Sequence, residues 1–104
     1  MPVVTITAPP LGAAEPQTVR TVAAAVAEAL GLTPDDVFVT TVDARTGTLG
    51  IRPAAWPVVV LHGGPRDPAA MRAARLAARA AVATAWDRDE DTVWSQWLVA
   101  EPGL

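Results

Sequence analysis

The stretch MPVVTIT at residues 1–7 places a proline directly before a run rich in β-branched residues, a composition typical of a strand. The same arrangement returns at residues 56–61 as WPVVVL, and His62, Gly63, Gly64 and Pro65 predict a turn after it. Further β-branched runs begin at Val37, 35 residues after Pro2, and at Val93, 36 residues after Pro57. A helical pattern fills each interval. The sequence therefore predicts one strand–helix–strand unit written twice.

The two predicted copies divide the chain. Repeat one covers residues 2–43 and repeat two covers residues 57–100, and both belong to a single domain of residues 1–104. Residues 44–56 carry glycines and a proline, which predicts a hairpin or an extended linker. Because a strand, a helix and a strand follow one another, each copy should form a parallel pair with a right-handed crossover.

Both helices have clear boundary signals. Pro16 suits the first turn of a helix, and Gly31 suits a left-handed residue at its end. Asp67 before Pro68 predicts a capped start for the second helix, which should run to about Trp86. Alanines mark one face of this helix, and we expect it to lie close to a sheet. The opposite face should be solvated and carries three arginines, Arg72, Arg75 and Arg79.

Composition excludes several functions. A formal net charge of −3 argues against a nucleic-acid surface, and the chain has no cysteine and one histidine, which argues against a metal site of thiolates or of several histidines. No stretch reaches the ~18 apolar residues of a membrane span, and the start lacks signal-peptide features. We expect a cytoplasmic protein without a cofactor. With 51% hydrophobic residues, mostly small, the core should be completed by other subunits.

Pro2 is the residue with the most distinctive chemistry. When Met1 is removed, its nitrogen becomes a free secondary amine. An α-amino group has a pKa near ~8, and burial disfavours the charged form, so such an amine would act as a base or nucleophile at neutral pH. When Met1 is retained, the nitrogen is an amide without basicity. The sequence leaves both states open.

The chain resembles the tautomerase superfamily in the position of Pro2, the doubled βαβ unit and the total length, which together cover nearly the whole chain. It is similar to the families of 4-oxalocrotonate tautomerase and macrophage migration inhibitory factor. The resemblance implies an α+β (α/β) fold with a four-stranded mixed sheet and two helices on one face. It also implies a homotrimer, with a hetero-oligomer as the alternative.

The same resemblance implies a site around the catalytic Pro2. Arg66 lies in the second strand–helix loop, where members acting on carboxylates often place arginines. Phe38 falls where the short members have a substrate-binding arginine, and Leu49 where they have a phenylalanine over the site. The matching loop of the first copy has Leu11 and no arginine.

Trp94 and Gln96 fall where the longer members have a tyrosine and an asparagine that line a neighbouring subunit's site. Alternation along a strand puts these two side chains on one face and Trp97 on the other. From the residues alone, packing at an interface or in the core remains an alternative for both tryptophans, and a trimer contact remains one for Gln96.

Two functional hypotheses follow. The first is a tautomerase or isomerase that uses Pro2 as general base on a small enol, keto or unsaturated acid. The second is a non-catalytic trimeric scaffold, or an inactive partner in a hetero-oligomer, with Met1 retained. The missing first-copy arginine favours the second hypothesis, and the position of Pro2 favours the first.

Overall fold

A computed structural model describes residues 1–100 of the chain. The first repeat consists of β1 (Val3–Ala8), α1 (Glu15–Leu30) and β2 (Phe38–Asp43). A small hairpin of β3 (Thr48–Leu49) and β4 (Arg52–Pro53) follows. The second repeat consists of β5 (Val58–Gly63), α2 (Pro68–Ala85) and β6 (Trp94–Val99).

The sheet has the strand order β2-β1-β5-β6. β1 pairs in parallel with β2, and β5 pairs in parallel with β6, as two right-handed crossover units require. The two units meet through the antiparallel pair of β1 and β5, in which Val3 lies opposite His62. This mixed four-stranded sheet and its two helices confirm the predicted fold.

Both helices pack on one face of the sheet, which we call the helix face. Val4, Ile6, Val59 and Leu61 alternate along the two central strands and are 0% exposed. The helices add buried small residues, among them Val22, Val26, Ala74, Ala78 and Val82. Alanines on α2 allow close approach to α1 and to the sheet, which explains how a core with few large side chains closes.

The other side of the sheet, which we call the open face, has no covering element within residues 1–100. The register places on it one set of side chains from each strand: Phe38, Thr40 and Val42; Val3, Thr5 and Thr7; Val58, Val60 and His62; and Trp94, Gln96 and Leu98. Several are large and exposed, with Trp94 at 66% and Phe38 at 54%. His62 is the one titratable group among them.

Helix boundaries follow the predicted signals closely. Gly31 ends α1 with φ of +68°, a left-handed conformation that glycine adopts without strain. Thr33 and Asp36 form a capping box on a single 3-10 turn. As predicted, α2 begins at Pro68 with Asp67 as its N-cap residue, but the Asp67 side chain makes no capping hydrogen bond. The turn predicted at His62 and Gly63 is wrong, since both residues belong to β5.

The arginines of α2 do not form a uniformly solvated face. Arg72 is exposed as expected, but Arg75 Nη1 donates to Ser95 Oγ at 3.1 Å. Arg79 donates to the Glu90 carbonyl and pairs with Asp91 at 3.0 Å. Because β6 is an edge strand, these bonds fasten it and its preceding connector to α2.

Within residues 1–100, neither helix combines the length and the apolar character needed to cross a membrane.

Candidate active site

Pro2 lies at the end of the sheet where the central strand β1 begins. Its ring is fully buried, with less than 2% of the residue exposed. Its carbonyl accepts a hydrogen bond from the Phe38 amide at 3.0 Å, which extends the ladder between β1 and β2 by one residue. Met1 is 83% exposed and carries the bond to the Pro2 nitrogen. Removal of Met1 would therefore free a nitrogen whose ring is buried.

Three of the residues at this end of the sheet come from different parts of the chain. Phe38 opposes Val3 on one side, and His62 opposes Val3 on the other. The loop that carries Arg66 leaves the sheet just beyond Gly63. Since β1 and β5 are antiparallel, the start of β1 and the end of β5 lie at the same end of the sheet. The structure thus brings Pro2, Phe38, His62 and Arg66 to one end.

Arg66 is half-buried, and within residues 1–100 its guanidinium has neither a hydrogen bond nor an ion pair with another side chain. The neighbouring Asp67 is exposed and does not pair with it. A guanidinium has five N–H donors in a planar fork that matches a carboxylate. Arg66 is therefore available to an anionic ligand at the Pro2 end.

Trp94 and Gln96 do not approach Pro2 of their own chain. The register aligns Trp94 with Val58 and Thr7, whereas Pro2 precedes Val3 at the opposite end of β1. A strand rises about 3.3 Å per residue, so Trp94 is displaced along the sheet by roughly 15 Å. Gln96 is aligned with Thr5 and is also two strands away. If either residue contacts a ligand at Pro2, that residue must come from another subunit.

Leu49 is also remote from Pro2 in the same chain. It belongs to the hairpin that follows the end of β2. Because β2 runs parallel to β1, the hairpin lies at the end of the sheet opposite Pro2. Leu49 is 56% exposed and Ile51 at the hairpin tip is 98% exposed. An apolar hairpin this exposed fits a contact with a neighbouring subunit better than one with its own Pro2.

The end of the sheet at Pro57 corresponds to the Pro2 end in the second repeat but has different chemistry. Pro57 is fully buried and follows Trp56, so its nitrogen is an amide. The loop after β1 has Leu11 at the position of Arg66. Trp86 lies at this end, where its Nε1–H donates to the Pro9 carbonyl at 2.7 Å. Within residues 1–100, the Pro2 end is the one that has a half-buried arginine without a bonded partner.

Sequence reasoning missed two features of this end. His62 was placed in a turn, although its position two residues beyond a β-branched run is compatible with a strand. The contact between Gly63 and Trp97 was not expected, because nothing in the sequence pairs residues on separate strands. A comparison of the two repeats residue by residue would have shown a glycine and a tryptophan where repeat one has Ala8 and Thr41.

No family model matches the sequence, and no curated protein matches it significantly. Solved structures do match its fold. A fused 4-OT described as a wild-type symmetric trimer has a TM-score of 0.82 at 17% identity, covering 94% of this chain and 85% of that one. Pt0534 inactivated by 2-oxo-3-pentynoate has a TM-score of 0.84 at 20% identity, with the same coverage. Malonate semialdehyde decarboxylase has a TM-score of 0.73 at 14% identity, covering 95% and 84%.

Proposed function

We propose, from the premise that this chain has the fold of the tautomerase superfamily, that it is a tautomerase-like enzyme with the amino-terminal Pro2 as its general base. The substrate is a small enol, keto or unsaturated acid. The observation that supports this proposal most is the location of Pro2. Its ring is fully buried at the one end of the sheet where a half-buried arginine has no partner within the described residues.

The proposed chemistry is a proton transfer. With Met1 removed, the neutral Pro2 amine takes a proton from oxygen or carbon on one side of an enol system. The resulting ammonium returns the proton to carbon on the other side, so that atoms and charge balance. Apolar surroundings favour the neutral amine over its charged form, which keeps the base available near neutral pH.

Arg66 is proposed to bind the substrate carboxylate. A carboxylate that leaves water for an apolar site needs a paired cation, because an unpaired buried charge is very costly. A bidentate pair with the guanidinium would satisfy the charge and fix the orientation of the acid toward Pro2. Phe38, next to Val3 in the register, would form part of the apolar wall.

The proposed active unit is a homotrimer. Its subunits would cover the open face and would bring Trp94 and Gln96 of a neighbour toward the Pro2 end. Such a trimer would bring to one site residues that lie far apart within a single chain. The proposal is supported by the exposed apolar residues of the open face and by the similarity of the fold to a protein described as a symmetric trimer.

A second candidate is a non-catalytic subunit of the same fold with Met1 retained. The observation that favours it is the difference between the two strand–helix loops, because Leu11 occupies the position that matches Arg66. Intact mass of the protein purified from its native host separates the two candidates. Complete retention of Met1 would support the scaffold, and a chain that begins at Pro2 would support the enzyme.

The direct test uses 2-oxo-3-pentynoate, the compound that inactivated Pt0534. Addition of a free Pro2 amine across the alkyne forms one carbon–nitrogen bond and moves one proton to carbon, so the product gains the mass of one reagent. We expect a chain beginning at Pro2 to be labelled at that residue. The matched control has an unremovable residue before Pro2, and labelling of that control at the same rate would refute the proposal.

The role of Arg66 is tested with the same reagent. Arg66→Ala should raise the half-saturating concentration for labelling by about tenfold to 100-fold, the scale of a lost charge-assisted hydrogen bond. Arg72→Ala is the matched control, because Arg72 is exposed on α2 and has no bonded partner within residues 1–100. Equal effects of the two substitutions would show that Arg66 does not bind the carboxylate.

A further inference from the structure

Trp97 packs against Gly63 on the helix face of the sheet. A Cβ atom built on Gly63 would lie 2.8 Å from Trp97 Cζ2, which is closer than real Cβ atoms approach, and 3.4 Å from Cη2. Gly63 has an ordinary negative φ, so its backbone does not require glycine. The requirement for glycine is therefore steric and comes from the tryptophan ring.

This contact occurs only in the second repeat. In the first repeat, the register puts Ala8 at the position of Gly63 and Thr41 at the position of Trp97. Both strand ends have the same ladder bond to the residue after the parallel partner: the Ala44 amide donates to Ala8, and the Ala100 amide donates to Gly63. The backbone arrangement is thus common to both repeats, and the ring against the glycine is the difference.

The repeat that has this contact is also the repeat whose loop carries an arginine. Gly63 is the last residue of β5, and Arg66 follows three positions later through Gly64 and Pro65. The Gly63 carbonyl is held by the Ala100 amide at 2.6 Å. A ring in contact with Gly63 therefore acts at the point where the Arg66 loop leaves the sheet.

The tryptophan is not held there by its own hydrogen bond. Trp97 Nε1 is the one buried side-chain nitrogen or oxygen within residues 1–100 that has no partner. An unmade hydrogen bond at a buried donor carries a cost in stability. A phenylalanine would avoid this cost, so the outer ring atoms of Trp97 must contribute through shape.

We infer that Trp97 is a positioning residue for the substrate-binding loop: its ring, packed on Gly63, sets the exit of β5 and thereby the location of the Arg66 guanidinium relative to Pro2. This inference rests on the proposed function for its ligand, a carboxylate. Its structural part, the ordering of the loop at residues 63–67, is independent of catalysis.

The experiment exchanges the sizes of the two residues. Trp97→Phe removes Cζ2 and Cη2, and Gly63→Ala introduces the clashing Cβ. Each single variant should raise the half-saturating concentration for 2-oxo-3-pentynoate labelling by about tenfold while leaving the maximal rate unchanged. Each should also speed amide hydrogen exchange at Ala100, whose amide donates to the Gly63 carbonyl. The double variant should recover both properties, because the added methyl group fills space that the smaller ring leaves.

Trp86→Phe is the matched control. It makes the same substitution at the opposite end of the sheet and removes a hydrogen bond to Pro9 without touching Gly63. This control should lower the melting temperature and leave unchanged both amide hydrogen exchange at Ala100 and the half-saturating concentration for labelling. If Trp97→Phe behaves like Trp86→Phe in exchange and in labelling, the inference is wrong.

The outcomes also separate this inference from the proposed function. If the unmodified chain is not labelled at Pro2, the proposed function fails, and amide exchange in the Trp97 and Gly63 variants alone decides the positioning role. Another outcome is labelling that depends on Arg66 while the Trp97 and Gly63 variants change neither the amide exchange rate nor the half-saturating concentration. In that case the proposed enzyme is supported and the positioning role of Trp97 is refuted. If Gly63→Ala does not fold, Trp97→Phe decides the question by itself.

Discussion

Trp94→Glu should convert the proposed trimer into monomers. Trp94 stands on the open face of the edge strand β6 and is 66% exposed in the single chain. Its neighbour across the pair with β5 is Val58, which is also exposed. An apolar side chain of this size on an uncovered sheet face indicates a contact that a second subunit completes.

The magnitude follows from the exposed fraction. A tryptophan contributes ~150–250 Å² of buried area, so the exposed two thirds of Trp94 leaves about 100–165 Å² for a partner to cover. At ~25 cal/mol per Å², covering this area stabilises the assembly by about 2.5–4 kcal/mol per subunit. Three equivalent contacts give about 7–12 kcal/mol per trimer. Replacing the ring with a carboxylate loses this term and adds the cost of desolvating a charge.

The assay is light scattering at micromolar concentration. The unmodified chain should show three times the 10.8 kDa of one chain, and Trp94→Glu should show the mass of a single chain. Ala73→Glu is the control, because it introduces the same charge on the exposed surface of α2, away from the open face. A monomeric unmodified chain, or a Trp94→Glu variant that remains trimeric, would refute the reasoning.

Three stability predictions concern single contacts, and thermal or denaturant unfolding checks each one. Arg75→Ala should cost about 1 kcal/mol, because it removes the hydrogen bond to Ser95 that fastens the edge strand, and a silent result would contradict that role. Trp86→Phe should cost about 1–2 kcal/mol, since it leaves the Pro9 carbonyl without its donor; retention of full stability would show that water replaces the indole. Gly31→Ala should cost about 1 kcal/mol through its left-handed φ alone, because an added Cβ meets nothing within 4 Å, and an unchanged stability would mean that the helix end relaxes.

The fold was predictable because its signals are local. The β-branched runs after Pro2 and Pro57, the helix end at Gly31 and the start at Pro68 each depend on a few neighbouring residues, and all four features appear in the structure. The errors fell where a local signal was weak or misleading. Glycine after His62 suggested a turn, yet pairing with β1 and β6 extends β5 through both residues.

The candidate site was less predictable, because it depends on which ends of the strands meet. The antiparallel register of β1 and β5 puts Arg66 at the same end of the sheet as Pro2. The strand pairing puts Trp94 and Leu49 at the opposite end. The resemblance implied that Trp94 and Gln96 line a neighbouring subunit's site, and the register shows that neither residue approaches Pro2 of its own chain. Their roles at the site stay predictions.

By itself, the sequence determined the doubled βαβ pattern, the boundaries of the helices and the position of Pro2 directly before the first strand. These properties depend on backbone preferences and on hydrophobic periodicity, which operate over a few residues. Only the tertiary structure decided that Arg75 bonds to β6, that Arg79 bonds to the connector before it, and that Trp97 packs on Gly63. Such contacts join residues distant in the chain, and they form only after strand register and helix packing have fixed where each side chain lies.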